Sequence, residues 1–360
     1  MRFGRTNVNK YLVEEQRRDP AIAGDFSMLI SDVVRSCKAI SQSVSLGRLI
    51  WREGDVTTIG RHGGAPADLK DMARQIFLHH CEWGGHLAAI SPAETDGLYT
   101  PPAGERRGKY LLLFDALDGS SNIDINLTVG SIFSVLRCPG HEREASIEDF
   151  LQAGSAQIAA GYALYGSSTI LVLTIGNGTH GFTLDREIGE FLLTHSHLTV
   201  PPETQNFAIN TSKERFWEPP VRRYVEECLA GLTGVRGKDF NMRWAAAMVA
   251  DVHRILMRGG VFLYPRDERD PELPGRTDLP HKANPMAMLI EQAGGLASTG
   301  YERITAIAPD SLHRQIPVIL GSRAEIERIE RYHAEYLSGD DKPFSSPLFG
   351  TRSLFRPDAE

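Results

Sequence analysis

The spacing of apolar positions changes several times along this chain, and each change marks an element. Within residues 26–51, Ile30, Val33, Val34, Cys37, Ile40 and Val44 recur at helical spacing, which predicts one long amphipathic helix. A Gly-rich connection, residues 60–66, breaks the pattern, and a second helix is expected from about Asp68 to His80. Residues 87–90 then read as a strand. Residues 109–114 read as a buried one, because Leu111-Leu112-Leu113-Phe114 is continuously apolar and turn residues bound it. Beyond Asn122 the segments 128–137, 156–165, 169–175, 181–184 and 191–195 are short, strand-like and separated by Gly, Ser and Asn, as in an antiparallel meander.

Pro201-Pro202 marks an expected boundary. It divides the chain into residues 1–200, residues 201–337 and a tail, 338–360. In the second part 207–210 reads as a strand and 241–257 as an amphipathic helix stopped by Gly259-Gly260. Residues 261–264 read as a strand, and Asn284-Pro285 opens a helix with Asn at the cap and Pro in the first turn. Gly294-Gly295 ends that helix, residues 317–320 form a strand, and Ser322 with Glu325 makes a capping box for a last helix to about Tyr336. This alternation behind a mixed first half implies an α/β (α+β mixed) fold of stacked helix and sheet layers.

Composition narrows the class. A chain of 360 residues buries a full core, and a net charge of −7 with a pI near 6.0 argues against nucleic-acid and membrane-surface binding. No apolar run approaches the roughly 18–20 residues that span a bilayer, and Met1–Arg5 lacks the apolar stretch of a signal peptide. Cys37, Cys81, Cys138 and Cys228 form no C-x-x-C pair and read as free thiols of a reducing cytoplasm. The cluster His79, His80, Cys81 and His86 matches no common zinc spacing and reads as helix-end packing. Arg222-Arg223 and residues 323–331 read as solvated helix faces.

The chemistry gathers at the end of the buried strand. Asp115, the Leu117 carbonyl and Asp118 are hard oxygen ligands, which suit magnesium or manganese rather than zinc. Gly119, Ser120 and Ser121 follow at once, with backbone N–H groups and hydroxyls suited to a phosphate. Metal and phosphate positions side by side suggest phosphoryl chemistry.

Five ordered stretches carry a family likeness: 108–124, 248–254, 259–265, 284–287 and 317–322. Over residues 26–335 the chain resembles the class 1 fructose-1,6-bisphosphatases. The resemblance implies a five-layer α-β-α-β-α sugar-phosphatase fold and a homotetramer that uses Mg²⁺. The implied reaction is hydrolysis of the 1-phosphate of fructose 1,6-bisphosphate, in gluconeogenesis or the Calvin cycle. It also implies a metal site at Asp115, Leu117, Asp118 and Glu94, with Glu94, Asp115 and Asp118 catalytic. Asp118, Gly119, Ser120 and Ser121 would bind the 1-phosphate. Asn210, Arg243, Tyr264 and Arg276 would bind the sugar and the 6-phosphate.

Four positions depart from the acids of the family pattern. Lys70 falls where an aspartate is expected, Ala93 where a glutamate is, and Lys282 where another glutamate is. Gly64 also takes the place of an acid. One ammonium about 4 Å from Mg²⁺ costs roughly 8 kcal/mol at an effective dielectric near 20. Two readings follow. In one, Asp71 and other acids rebuild a metal site in a working phosphatase. In the other, Lys70 and Lys282 stand in for metal charge in an impaired member that binds sugar phosphate or partners an active paralogue.

Overall fold

The computed structural model describes residues 5–18, 24–50, 67–82, 84–101, 106–140, 143–269 and 275–340. Three helices come first: α1 (Val8–Arg18), α2 (Gly24–Leu46) and α3 (Ala67–Cys81). The helix expected within residues 26–51 ends at Leu46. Gly47 adopts φ 51°, a left-handed conformation that ends an α-helix, and a 3₁₀ turn, Gly47–Ile50, follows. Trp51 and Gly64 lie outside the described residues.

A seven-stranded sheet follows in chain order: β1 (Leu87–Pro92), β2 (Tyr110–Asp118), β3 (Val129–Arg137), β4 (Ala159–Tyr165), β5 (Thr169–Thr174), β6 (Thr179–Asp185) and β7 (Glu190–Leu198). A short helix, α4 (Ile147–Phe150), lies between β3 and β4. The pairs from β2 to β7 are antiparallel, as the meander pattern predicts, whereas β1 joins β2 in parallel at the sheet edge. An edge strand tolerates Pro92 at its end.

The second half supplies β8 (Asn206–Ala208), α5 (Pro219–Leu229), β9 (Asn241–Met242), α6 (Met248–Arg258), β10 (Val261–Tyr264), β11 (Thr277–Asp278), α7 (Asn284–Gln292), β12 (Leu296–Ser298), β13 (Gln315–Ile316), β14 (Val318–Gly321) and α8 (Arg323–Ser338). Five of these strands form a sheet in the order β12-β14-β10-β8-β9.

Three apolar slabs join the layers. The first packs α1, α2 and α3 on one face of the large sheet, through residues such as Leu29, Val33, Phe77 and Phe114. The second fills the space between the two sheets with α6 and α7, through Tyr162, Val249, Met286 and Phe262. The third packs α5 and α8 on the outer face of the small sheet, through Tyr224, Leu263 and Ile329. The layer order is therefore α-β-α-β-α.

Four local expectations are corrected. Residues 241–257 are not one helix: Asn241–Met242 is a strand, Ala246 has φ 57°, and α6 begins only at Met248. Asn284 is the first residue of α7 rather than its cap, because a π turn, Leu279–Ala283, runs directly into it. Ser322 makes no side-chain cap; its hydroxyl accepts from Gly260 N at 3.3 Å, and Glu325 turns inward to Arg236. Arg223 is not solvated, for it lies 3.8 Å over the Tyr332 ring and pairs with Glu335 at 2.6 Å.

Candidate functional site

Strand β2 is buried along its whole length and ends at the site. In a regular strand, residues three apart point to opposite faces. Here Asp115 pairs with Ile132 and Asp118 with Gly130, so one extra residue is inserted between the aspartates. That bulge turns both carboxylates toward one ammonium group, as bulges near functional sites do. Lys282 Nζ lies 2.6 Å from Asp115 Oδ2 and 2.9 Å from Asp118 Oδ1.

The other carboxylate oxygens also have donors. Asp115 Oδ1 accepts from Leu117 N at 3.1 Å, and Asp118 Oδ2 accepts from Val249 N at 3.0 Å. The second bond caps the N-terminus of α6, where an anion also meets the helix dipole favourably. Asp115 is 1% exposed. Burial alone pushes its carboxyl up, but Lys282 and then Lys70 pull it down to about 2.

The parallel pairing of β1 with β2 brings Glu94 to the same place, since Ala93 N donates to Phe114 O at 2.9 Å. Helix α3 packs on β2 through stacked Phe77 and Phe114 rings, 4.5 Å between centroids, and its first turn presents Lys70. Lys70 Nζ sits 3.3 Å from Glu94 Oε1. Burial, then the charge of Asp115, raises the Glu94 carboxyl, with Lys70 opposing. Asp71 takes no part: its exposed side chain pairs with Arg74 at 2.9 Å.

Gly119 opens the turn expected to cradle a phosphate, at φ 74°, and a Cβ there would come 2.6 Å from Ala247 Cβ. Ser120 to Asn122 form one 3₁₀ turn. Ser120 is half-buried and Ser121 exposed, and neither hydroxyl bonds another described residue. Asn122 Nδ2 donates to Ala245 O at 3.1 Å, which ties the cradle to the segment before α6.

That segment leads to a cleft of about 90 Å³. Asn210, Tyr264 and Arg276, which the resemblance assigns to the sugar and the 6-phosphate, line it, and Lys213, Arg266 and Arg269 join them. Four cationic side chains in the lining face one carboxylate, Asp267. Arg269 first, with Arg276 contributing, holds Asp267 down at about 2. The Asn210 Oδ1 is engaged with Ser212 N at 3.1 Å. Tyr264, Phe262 and Trp244 form a parallel ring stack within 5°, which fixes the Tyr264 ring at the cleft. Arg243 is not in the lining; it is exposed and donates to Met242 O at 3.2 Å. Lys213, Arg266 and Arg269 escape sequence reasoning because nothing local distinguishes them from surface cations.

A divalent metal does not fit the donors present. Such an ion would contact Asp115 and Asp118 at about 2.1 Å, and the Lys282 ammonium already lies between those carboxylates. Glu94, the third acid, is paired with Lys70. Among the described residues no group of three His, Cys, Asp or Glu side chains is arranged to hold a metal.

Comparison with known proteins agrees with the fold. Residues 6–196 match the family model of the fructose-1-6-bisphosphatase N-terminal domain, and residues 200–334 match that of the C-terminal domain. A relative from Hydrogenophilus thermoluteolus named "Fructose-1,6-bisphosphatase class 1" is 54% identical over 350 residues, 97% of each chain. A relative of the same name from Methylacidiphilum infernorum is 54% identical over 356 residues, 99% of each. The crystal structure of Leishmania major fructose-1,6-bisphosphatase in holo form aligns with a TM-score of 0.80 at 34% identity, covering 91% of this chain and 98% of that one. Its T-state structure gives 0.80 at 33%, covering 92% and 99%. With both domain models matched in order and relatives aligned over nearly the full length, the chain belongs to the class 1 fructose-1,6-bisphosphatase family.

Proposed function

We propose that the chain hydrolyses the 1-phosphate of fructose 1,6-bisphosphate to fructose 6-phosphate and phosphate. One observation carries this reading: two anion positions flank a single short segment. The Gly119–Ser121 cradle abuts Ala247 and bonds Ala245 through Asn122, while Trp244 stacks on Tyr264 in the cationic cleft. A ligand with a phosphate at each end suits two such positions. The impaired-member reading lacks comparable support, since the aligned relatives carry the phosphatase name.

Each residue then has a task. Gly119, Ser120, Ser121 and Asp118 surround the 1-phosphate. Arg276, with Lys213, Arg266 and Arg269, takes the 6-phosphate, and Asn210 and Tyr264 bound the sugar. Arg243 lies outside the lining and contributes from the surface. The oxygen of water bonds to phosphorus as the phosphorus–oxygen bond to C1 breaks. Glu94, held beside Asp115 with its carboxyl raised, takes the water's proton. The C1 oxygen is protonated from solvent. Metal dependence belongs to the family, and magnesium is the ion the resemblance implies, but the Asp115–Asp118 donor set does not fit it. A homotetramer and a role in gluconeogenesis or the Calvin cycle rest on the resemblance, and a cytoplasmic location rests on the free cysteines.

The test is release of phosphate and fructose 6-phosphate from fructose 1,6-bisphosphate by the purified chain. Arg276→Ala removes one charge-assisted contact and is expected to raise KM about tenfold while sparing kcat. Absence of phosphate release, or an unchanged KM in the variant, would count against this reading.

A further inference from the structure

The position where the resemblance implies a metal holds a side chain instead. We propose that the Lys282 ammonium is a built-in cation, taking the place of a divalent ion between Asp115 and Asp118. On this basis the chain binds the phosphate of its sugar-phosphate ligand without metal. This inference rests on the reading of the site as a sugar bisphosphate site.

The contacts leave little alternative for Lys282. Its Nζ is 2.6 Å and 2.9 Å from one oxygen of each aspartate. Those distances are ordinary for an ammonium and a carboxylate. The remaining oxygens already accept from Leu117 N and Val249 N. A metal would have to displace Lys282 from Asp115 Oδ2 and Asp118 Oδ1. It would do so beside a second ammonium, Lys70, at the third acid. With Lys282 against both aspartates and Lys70 against Glu94, each carboxylate of the site already has an ammonium partner.

The turn that carries Lys282 is itself built for the task. Asp278 Oδ1 accepts from His281 N at 2.8 Å and from His281 Nδ1 at 3.0 Å. With Nδ1–H donating there, Nε2 is left to accept from the Ser91 hydroxyl, 3.0 Å away. His281 and Ser91 are fully buried. This chain of bonds pins the π turn Leu279–Ala283 to the end of β1, three residues before Glu94. Asp278, His281 and Ser91 are therefore positioning residues, holding Lys282 over both aspartates. A π turn of this kind, placed next to a polar site, is a frequent functional device.

Two measurements on the wild-type chain test the proposal, and two variants extend them. A non-hydrolysable phosphonate analogue of fructose 1,6-bisphosphate, with carbon in place of the oxygen between C1 and phosphorus, is titrated by calorimetry in excess EDTA and again in Mg²⁺. Separately, Mn²⁺ is titrated with the chain, and the electron paramagnetic resonance signal of free Mn²⁺ is followed. The expected results are equal sugar-phosphate affinity in both buffers and an undiminished free Mn²⁺ signal. Lys282→Met should weaken binding in EDTA by about 10- to 100-fold, the worth of one charge-assisted contact. Lys282→Glu should instead take up Mn²⁺. Sugar-phosphate binding that appears only with Mg²⁺, or uptake of one Mn²⁺ per wild-type chain, overturns the built-in cation and leaves the phosphatase reading standing. Absence of sugar-phosphate binding in both buffers overturns the phosphatase reading instead, and the Mn²⁺ titration then decides the cation alone. If either variant fails to fold, the wild-type arms still decide.

Discussion

Asp251→Asn should make the protein more stable at alkaline pH and leave it nearly unchanged in mild acid. Asp251 is buried on α6, where its two oxygens accept from Ala245 N at 3.2 and 3.3 Å. Burial pushes its carboxyl from the ordinary 3.8 up to about 7. Between those values the unfolded chain has released a proton that the folded chain still holds. Unfolding then releases that proton, so stability falls as pH rises through this window. Each pH unit is worth roughly 1.4 kcal/mol. From about pH 5 to about pH 8 the folded chain thus loses roughly 3 kcal/mol through this group. Asparagine keeps an acceptor for Ala245 N and cannot ionise. Urea unfolding followed by tryptophan fluorescence, run on both proteins across that range, reads the difference directly. The gap between variant and wild type should widen by roughly 3 kcal/mol toward alkaline pH. A gap that stays constant with pH would refute the reasoning, because every other titrating group is common to the two proteins.

Two further substitutions test the packing behind the site. Arg236 and Glu325 are each 3% exposed and pair at 2.6 Å, with Tyr224 donating to the same carboxylate at 3.0 Å. Arg236→Met strands that carboxylate and should cost about 3 kcal/mol in urea unfolding, the low end for a broken buried pair because Lys238 stands 3.8 Å away; a loss under about 1 kcal/mol would contradict this. Gly119→Ala forces a side chain into the left-handed conformation at φ 74°, against Ala247. It should cost about 1–3 kcal/mol and slow phosphate release, and unchanged stability with unchanged turnover would rule out the cradle geometry described here.

Much of the fold is legible in the sequence because its signals are local. The apolar run of β2, the turn at Gly119 and the short strands of the meander need no distant partner to be recognised. The same holds for the replacement of expected acids by Lys70, Ala93 and Lys282. Elsewhere a partner far along the chain decides the outcome. Residues 241–257 have helical spacing, yet the Asp251 carboxylate holds Ala245 N and the backbone breaks before Met248. Ser322 and Glu325 match a capping box, but Gly260 and Arg236 engage them first. Arg223 looks solvated until Tyr332 and Glu335 are brought beneath it. At the site, the bulge between Asp115 and Asp118 exists only in register with β3, and no spacing in β2 announces it. For the same reason the resemblance points to Lys282 in the place of an acid but not to one ammonium bridging both aspartates.

The most direct measurement is the initial rate of phosphate release from fructose 1,6-bisphosphate by the purified chain in excess EDTA, repeated after Mg²⁺ is restored in excess of the chelator. With Lys282 serving as the cation between Asp115 and Asp118, the two rates should be equal. A rate that vanishes in EDTA and returns with Mg²⁺ would contradict the account.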